Sequence, residues 1–187
     1  MPRTKNYNEQ EVIEKAMNLF WRNGYETTSM HMLEKEMGIN KFSIYSSFGN
    51  KEGVFLESIK CYKQRLHVLI DKLKGSDQGL GSIKAYFYDF VAFSREGGCG
   101  KGCLVTNTAN ELGPDAPEEI RVVLSQFTAE VRAVFAHILK KDESFQAGQI
   151  DEVADYLIIS MFGLASASRV FSTSQLKNYI ENIFHFN

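Results

Sequence analysis

The chain has 187 residues, 44% apolar and 24% charged, which is enough apolar material for a packed core and unlike a disordered chain. Its 21 Lys and Arg against 23 Asp and Glu give a formal net charge of -2, which excludes a uniformly basic nucleic-acid binder but permits a local basic patch. Three cysteines and a polar N-terminus predict a cytoplasmic protein, and the longest uncharged stretch, the 13 residues 156–168, is too short to span a membrane.

Apolar side chains recur at intervals of three and four residues, which is the spacing of helices with one buried face. Prolines occur only at positions 2, 114 and 117, so little of the chain is barred from helix. Polar caps and glycines divide the pattern, with Asn8 and Asn40 as N-caps and Gly24 and Gly38 after helix ends. The predicted helices cover about 8–23, 29–38, 41–48, 51–74, 80–95, 103–111, 118–141, 148–171 and 174–185. We therefore expect an all-α protein.

Residues 28–48 have the pattern of a helix-turn-helix. A helix of about nine residues, the turn 38–40 and a helix of about seven follow one another. The second helix presents hydrogen bonders and aromatics, which suit a major groove; its predicted outward residues are Lys41, Phe42, Ser43, Tyr45 and Ser46. Between Glu36 and Glu52 the chain has two lysines and no acid. Since similar helix pairs occur inside ordinary bundles, geometry and charge alone leave DNA binding and plain packing both open.

A set of residues spread over 8–56 gives this segment a more specific interpretation. In order they are Phe20, Gly24, Tyr25, Thr28, Gly38, Ile39, Asn40, Lys41, Ile44, Tyr45, Phe48, Lys51 and Glu52. Together they resemble the N-terminal domain of TetR-family transcriptional regulators. The resemblance implies a helix-turn-helix DNA-binding domain at 1–50. It also implies a helical ligand-binding and dimerisation domain at 51–187, with the helix at about 51–74 linking the two.

The same resemblance implies roles for single residues. Thr28 would cap the second helix and touch phosphate, and Tyr45 and Lys51 would clamp backbone phosphates. The implied DNA-binding set is Thr28, Asn40, Lys41, Phe42, Ser43, Tyr45, Ser46 and Lys51. The partner would be double-stranded DNA with a palindromic operator, because a dimer places two recognition helices about one DNA turn apart.

Two residues depart from the pattern of the family. Phe42 stands where the family commonly has Gly, and it could contact a thymine methyl group in the groove. Glu34 stands where the family commonly has Ala, so the helix crossing stays tight only if this side chain turns outward. The N-terminal arm with Arg3 and Lys5 could enter a minor groove, although such tails are more often simply disordered.

Aromatic residues in the C-terminal part could line an apolar cavity, although plain core packing also accounts for them. The resemblance favours a pocket for a small apolar or aromatic effector. The candidate pocket residues are Tyr62, Leu66, Tyr86, Phe87, Phe90, Phe127 and Phe162. Small residues at 163–168 allow two helices to approach closely, which suits a homodimer. The candidate interface residues are Gly163, Ala167, Tyr179 and Ile183.

Cys99 and Cys103 flank a Gly-Lys-Gly loop. A CxxxC pair without nearby His supplies only two ligands, so we expect no metal site. A thiol sensor is an open alternative, because Cys103 is predicted at a helix N-terminus with Lys101 nearby. A third thiol, Cys61, is expected in the core.

No HExxH, GxSxG or dinucleotide motif occurs, so we expect neither an enzyme nor a cofactor. The sequence favours a homodimeric, ligand-responsive DNA-binding regulator, acting as a repressor, without membrane association. One alternative is a helical module that binds hydrophobic ligands and has no DNA function. The other is a variant of the regulator that senses thiol-reactive electrophiles.

Overall fold

A computed structural model of the chain describes residues 7–96 and 100–185. Within these ranges the secondary structure is helical and contains no strand. The helices are α1 (Glu9–Asn23), α2 (Met30–Met37), α3 (Lys41–Phe48), α4 (Lys51–Lys74), α5 (Leu80–Ser94), α6 (Leu104–Leu112), α7 (Glu118–Leu139), α8 (Ile150–Ala167) and α9 (Thr173–Ile183). Short 3-10 turns at Gly113–Asp115 and Ala147–Gln149 precede α7 and α8. The all-α prediction is confirmed.

Helix starts follow the polar caps in the sequence. The side chains of Asn8, Ser29, Asn40 and Asn50 each accept a hydrogen bond from a backbone N–H in the first turn of the helix that follows. The predicted end of α8, at about 171, is too late, because the apolar pattern continues past Ala167, where the helix ends. A turn follows, and Ser172 begins a capping box that starts α9.

The core is continuous from one end of the chain to the other. In the N-terminal half α1, α2 and α3 surround the buried side chains of Phe20, Leu33 and Ile44, and α4 packs against α1. Farther along, α4 packs against α5 and α7, while α7 and α8 form the most extensive helix pair of the C-terminal half. The long helix α4 therefore contacts both halves of the chain.

One helix, α7, is long and apolar enough to cross a membrane when only length and composition are considered. Its apolar stripe is instead buried against the other helices, with Ile120, Phe127, Phe135 and Leu139 all in the core. A core helix of a water-soluble domain has the same composition, so α7 gives no reason to place the chain in a bilayer.

Candidate nucleic-acid interface and buried cavity

The turn between α2 and α3 is built from local interactions. Gly38 ends α2 with φ 70°, a left-handed conformation that glycine adopts without strain. Asn40 then starts α3, its Oδ1 accepting the backbone N–H of Ser43 at 2.9 Å. The side chains of Leu33 and Ile44 are fully buried between the two helices. These contacts fix the crossing angle and leave the other side of α3 facing solvent.

The solvent-facing side of α3 is apolar and aromatic as well as polar. Phe42 is 75% exposed and Tyr45 is 49% exposed. Lys41 and Ser46 are also exposed, while Ser43 is half-buried. Positions 41, 42, 45 and 46 share one helical face because residues four apart lie above one another. The face of α3 has the width and chemistry that a major groove accommodates.

The predicted role of Thr28 is wrong. Its side chain is fully buried, and its Oγ1 donates a hydrogen bond to the carbonyl of Gly24 at 2.6 Å. The N-cap of α2 is the next residue, Ser29, whose exposed Oγ accepts the N–H of Met32 at 3.2 Å. Thr28 therefore closes the α1–α2 turn from inside, and its hydroxyl cannot reach a phosphate.

Lys51 is half-buried at the start of α4. Its Nζ donates to the carbonyl oxygen of Tyr25 at 3.1 Å and lies 4.3 Å from the centre of the Tyr25 ring. The ammonium has no carboxylate partner in these contacts, so its charge remains available to an anion. On the other side of α3, Tyr7 Oη and Ser47 Oγ are 2.7 Å apart, which holds the chain just before α1 against α3. The predicted arm residues Arg3 and Lys5 lie outside the described residues.

A small, partly open cavity of about 30 Å³ lies between α4, α5, α6, α7 and α8. Five of the predicted pocket residues line it: Leu66, Tyr86, Phe90, Phe127 and Phe162. Phe87 does not; it packs on Phe135 and Phe184 in the core instead. The cavity has room for about one water molecule. An open groove of about 490 Å³ lies on its outer side, and Val105, Thr128 and Phe162 border both spaces.

The Cys103 thiol and the Tyr86 hydroxyl lie in the wall of this cavity, whereas Tyr62, also predicted to line it, is buried beside Cys103 and is not part of the wall. The Cys103 thiol is buried and lines the wall next to the fully buried Tyr62 and the buried Tyr86. Burial raises the pKa of both tyrosines, and the Cys103 thiol adds to that rise, so both hydroxyls stay protonated. The Tyr62 hydroxyl makes no hydrogen bond of normal geometry among the described residues, and its polar neighbours are the Cys103 thiol and the backbone of Leu104.

Comparison with known proteins decides the family. The family model of bacterial regulatory proteins of the tetR family matches residues 12–58, and that of the tetracyclin repressor-like C-terminal domain matches residues 79–184. The chain belongs to the TetR family. It is a DNA-binding transcriptional regulator. Its relatives are regulators of transcription, which are not enzymes.

Related TetR-family proteins match nearly the whole chain. The uncharacterized HTH-type transcriptional regulator YezE of Bacillus subtilis is 28% identical over 175 residues, covering 91% of this chain and 90% of YezE. The HTH-type transcriptional repressor ComR of Escherichia coli is 24% identical, covering 89% and 82%. A cysteine-substituted form of the regulator CifR, solved with a 26 bp operator, superposes with a TM-score of 0.86 at 26% identity and covers 97% of both chains.

The remaining predicted site residues lie on α8, α9 and α6. Gly163 is exposed and Ala167 half-buried on α8; Tyr179 of α9 is 38% exposed, and its Oη donates to the Ser160 carbonyl at 3.2 Å. Ile183, predicted at a dimer interface, is buried in the core of its own chain and so cannot contact a partner. Cys99 lies outside the described residues.

Two functional candidates were missed by the sequence analysis. Ile159 and Val170, at the C-terminal side of the chain, are 70% and 80% exposed. They flank the small residues of α8, and a face with two such exposed side chains is typical of an interface. Nothing in the one-dimensional pattern separates them from the buried positions of the same apolar stretch.

Proposed function

We propose that this TetR-family regulator acts as a homodimeric repressor that leaves a palindromic operator when an uncharged apolar or aromatic molecule enters its cavity. The observation that carries the proposal is the face of α3, where Phe42 and Tyr45 project into solvent from a well-capped helix. An exposed phenyl ring lowers solubility unless a binding partner covers it. A thymine methyl group in the major groove is an apolar group that could cover this ring.

The contacts with DNA divide into two kinds. Lys41, Phe42 and Ser46 are placed to read base edges, because they share the outer face of α3. Asn40, Tyr45 and Lys51 border that face and are placed for phosphates, which fix the register of the helix but carry no sequence information. The division of the chain at residue 50 is part of the same proposal, with α4 belonging to the effector domain.

Dimerisation supplies the second recognition helix. The exposed side chains of Ile159 on α8 and Val170 in the turn that follows, with the exposed Gly163, offer an apolar strip. Tyr179 of α9 borders it, and its hydroxyl lies 3.1 Å from where a side chain on Gly163 would begin. A symmetric pairing of α8 and α9 would cover this strip in both copies. Relatives such as the E. coli protein ComR are named repressors, which supports repression as the output.

The effector class follows from the wall of the cavity. The described lining has no charged side chain and is mostly apolar, with four aromatic rings; its polar groups are the hydroxyls of Tyr86, Thr106 and Thr128 and the Cys103 thiol. An uncharged ligand with a hydrogen-bond acceptor fits this chemistry. Since ligand pockets usually measure about 300–1,000 Å³, the cavity must open, and moving Phe162 would join it to the outer groove. A differential affinity of about 1–3 kcal/mol between the two forms would change operator affinity about 5- to 150-fold.

The position of Cys103 favours a second candidate function. Its thiol lines the cavity at the start of α6, so an electrophile that enters meets it directly. The thiol would give its proton to solvent, the thiolate would add to the electrophilic carbon of an activated alkene to form a thioether, and the adjacent carbon would take up a proton from solvent. The adduct would then act as a permanently bound effector.

A mobility-shift experiment with DNA upstream of its own gene tests the proposal. Lys51→Ala should weaken binding to every sequence bound and lower the salt slope by about one unit. Lys140→Ala is the matched control, an exposed lysine after the end of α7, and should bind like the parent protein. Equal loss in both variants, or no shifted band with any DNA, would overturn the proposed interface.

A further inference from the structure

Glu111, near the C-terminal end of α6, reaches across to the segment between α1 and α2. Its Oε2 accepts the backbone N–H of Tyr25 at 2.8 Å, and its Oε1 accepts that of Glu26 at 2.9 Å. A carboxylate that accepts two consecutive N–H groups makes charge-assisted hydrogen bonds, which fix direction as well as distance. One side chain of the effector domain therefore binds two peptide groups of the DNA-binding domain.

The peptide groups of Tyr25 are held from two sides. Glu111 binds the N–H from α6, and Lys51 binds the carbonyl oxygen from the start of α4 at 3.1 Å. Gly24, which has φ 88°, precedes Tyr25, and a Cβ placed there would lie 2.7 Å from both oxygens of Glu111. Glycine at this position is thus required both by the backbone conformation and by the approach of the carboxylate. Two helices of the effector domain converge on the residue that leads into the helix-turn-helix.

The opposite end of α6 lies at the cavity. Cys103, Val105 and Thr106 form part of its wall. Just before them, the carbonyl of Gly102 accepts the indole N–H of Trp21 in α1 at 3.2 Å, in the buried interior. With nine residues, α6 is about 13 Å long, so the cavity wall and Glu111 lie at the two ends of one short helix.

We propose that Glu111 is a positioning residue that sets the orientation of the DNA-binding domain through its two hydrogen bonds to the α1–α2 turn. The inference rests on the proposed function, since the orientation of this domain sets the spacing of two recognition helices. The two hydrogen bonds hold α1 and α2 at operator spacing. Loss of the carboxylate removes both bonds at once, because they end on the same side chain, and the DNA-binding domain is then free to reorient.

Operators of altered spacing test this role directly. The parent protein is used to select its operator from random DNA, and base pairs are then inserted or deleted between the half-sites. The parent protein should bind native spacing best. Glu111→Ala removes both acceptors, so the ratio of affinities for native over altered spacing should fall at least about fivefold. Glu111→Gln keeps one acceptor oxygen and should give an intermediate ratio. Glu143→Ala, an exposed acid in the loop after α7, matches the change in charge and should leave the ratio unchanged.

Each result separates positioning from a purely structural role. Thermal unfolding of every variant shows whether the fold is retained, and Glu111→Gln serves if Glu111→Ala does not fold. A lowered melting temperature with an unchanged spacing ratio would make Glu111 a surface cap and overturn the inference while leaving the proposed function intact. If the parent protein selects no two-fold DNA site, the proposed function fails first and the inference fails with it.

Discussion

The carboxylate of Glu34 on α2 accepts the backbone N–H of Lys41, the first residue of α3, at 3.1 Å. This contact explains why an acid is tolerated at position 34, where the TetR family commonly has Ala between the two helices. The side chain turns outward along the turn and binds an N–H that the first turn of α3 leaves without a helical partner. It also places a negative charge beside the end of α3 that approaches phosphate.

Neutralising Glu34 should therefore raise DNA affinity without regard to sequence. Glu34→Gln keeps an acceptor oxygen and loses only the charge at the helix N-terminus, so its stability should fall less than that of Glu34→Ala while its affinity for operator and scrambled DNA rises. Glu34→Ala loses the acceptor as well and should lower the free energy of unfolding by about 0.5–1 kcal/mol. Fluorescence anisotropy and urea unfolding measure the two effects. A drop in affinity in Glu34→Gln would show that the charge favours binding instead.

Phe42 should control which sequence is bound. Because its ring is 75% exposed, Phe42→Ala should leave the melting temperature within error of the parent value. The base pair that it contacts should lose about 1 kcal/mol of discrimination, seen as a weakened preference at one position of each half-site in a selection from random DNA. The same consensus with uniformly weaker binding would argue that the ring only touches the DNA backbone.

The proposed dimer interface can be tested at Ile159, with Val68 on α4 as a matched control. Ile159 and Val68 are both 70% exposed, so Glu at either position has the same cost in the isolated chain. Ile159→Glu should convert the dimer to monomer in sedimentation velocity and abolish binding to the full operator. Val68→Glu should leave both unchanged. Dimers that persist in Ile159→Glu would place the interface elsewhere on the surface.

Phe162 should govern access to the cavity, and Cys103 can report it. With Cys61 and Cys99 replaced by Ser, labelling by a thiol reagent measures Cys103 alone, and it should be slow because this residue is only 6% exposed. Phe162→Ala should accelerate labelling by at least about tenfold and allow a small aromatic such as indole to bind. Unchanged labelling would mean that the cavity opens by another route, most simply between α4 and α5.

Asp142 gives a prediction about pH. Its Oδ2 accepts the N–H of Leu80 at 2.9 Å and caps α5, and its Oδ1 accepts that of Ser144 at 3.0 Å. These hydrogen bonds, the one from Leu80 above all, lower the pKa of the carboxyl in the folded chain. The stabilisation is therefore complete above the unfolded pKa of about 4 and is lost as pH falls through the lower folded value.

The matching substitution is Asp142→Ala, which should cost about 1 kcal/mol at neutral pH, like the loss of a helix cap. The difference from the parent protein should shrink as urea unfolding is repeated at lower pH below 4. Asp77→Ala, which removes an exposed acid in the loop before α5, should show no such trend. A difference that stays constant with pH would assign the cost to packing rather than to the charged carboxyl.

Local features allowed the sequence to determine the helices and the family. Hydrophobic spacing, the caps Asn8 and Asn40, and Gly38 each act within a few residues, so they are readable in one dimension. The prediction of the N-cap of α2 was wrong because two neighbouring residues can both act as caps. Thr28 and Ser29 are equivalent as caps by composition, and the path of the chain after Gly24 buried the first and exposed the second.

Tertiary structure alone decided which apolar positions stay exposed and which remote residues meet. Ile159 and Ile183 look alike in the pattern of their helices, yet the packing of α9 against α5 and α8 buries only the second. The hydrogen bond between Glu111 and Tyr25 joins residues 86 positions apart, and helix propensity and hydrophobic periodicity carry no information about contacts at such separations. Local interactions thus determined the secondary structure. Packing between helices that are distant in sequence determined the positions of the cavity, the exposed strip and the link from α6 to the DNA-binding domain.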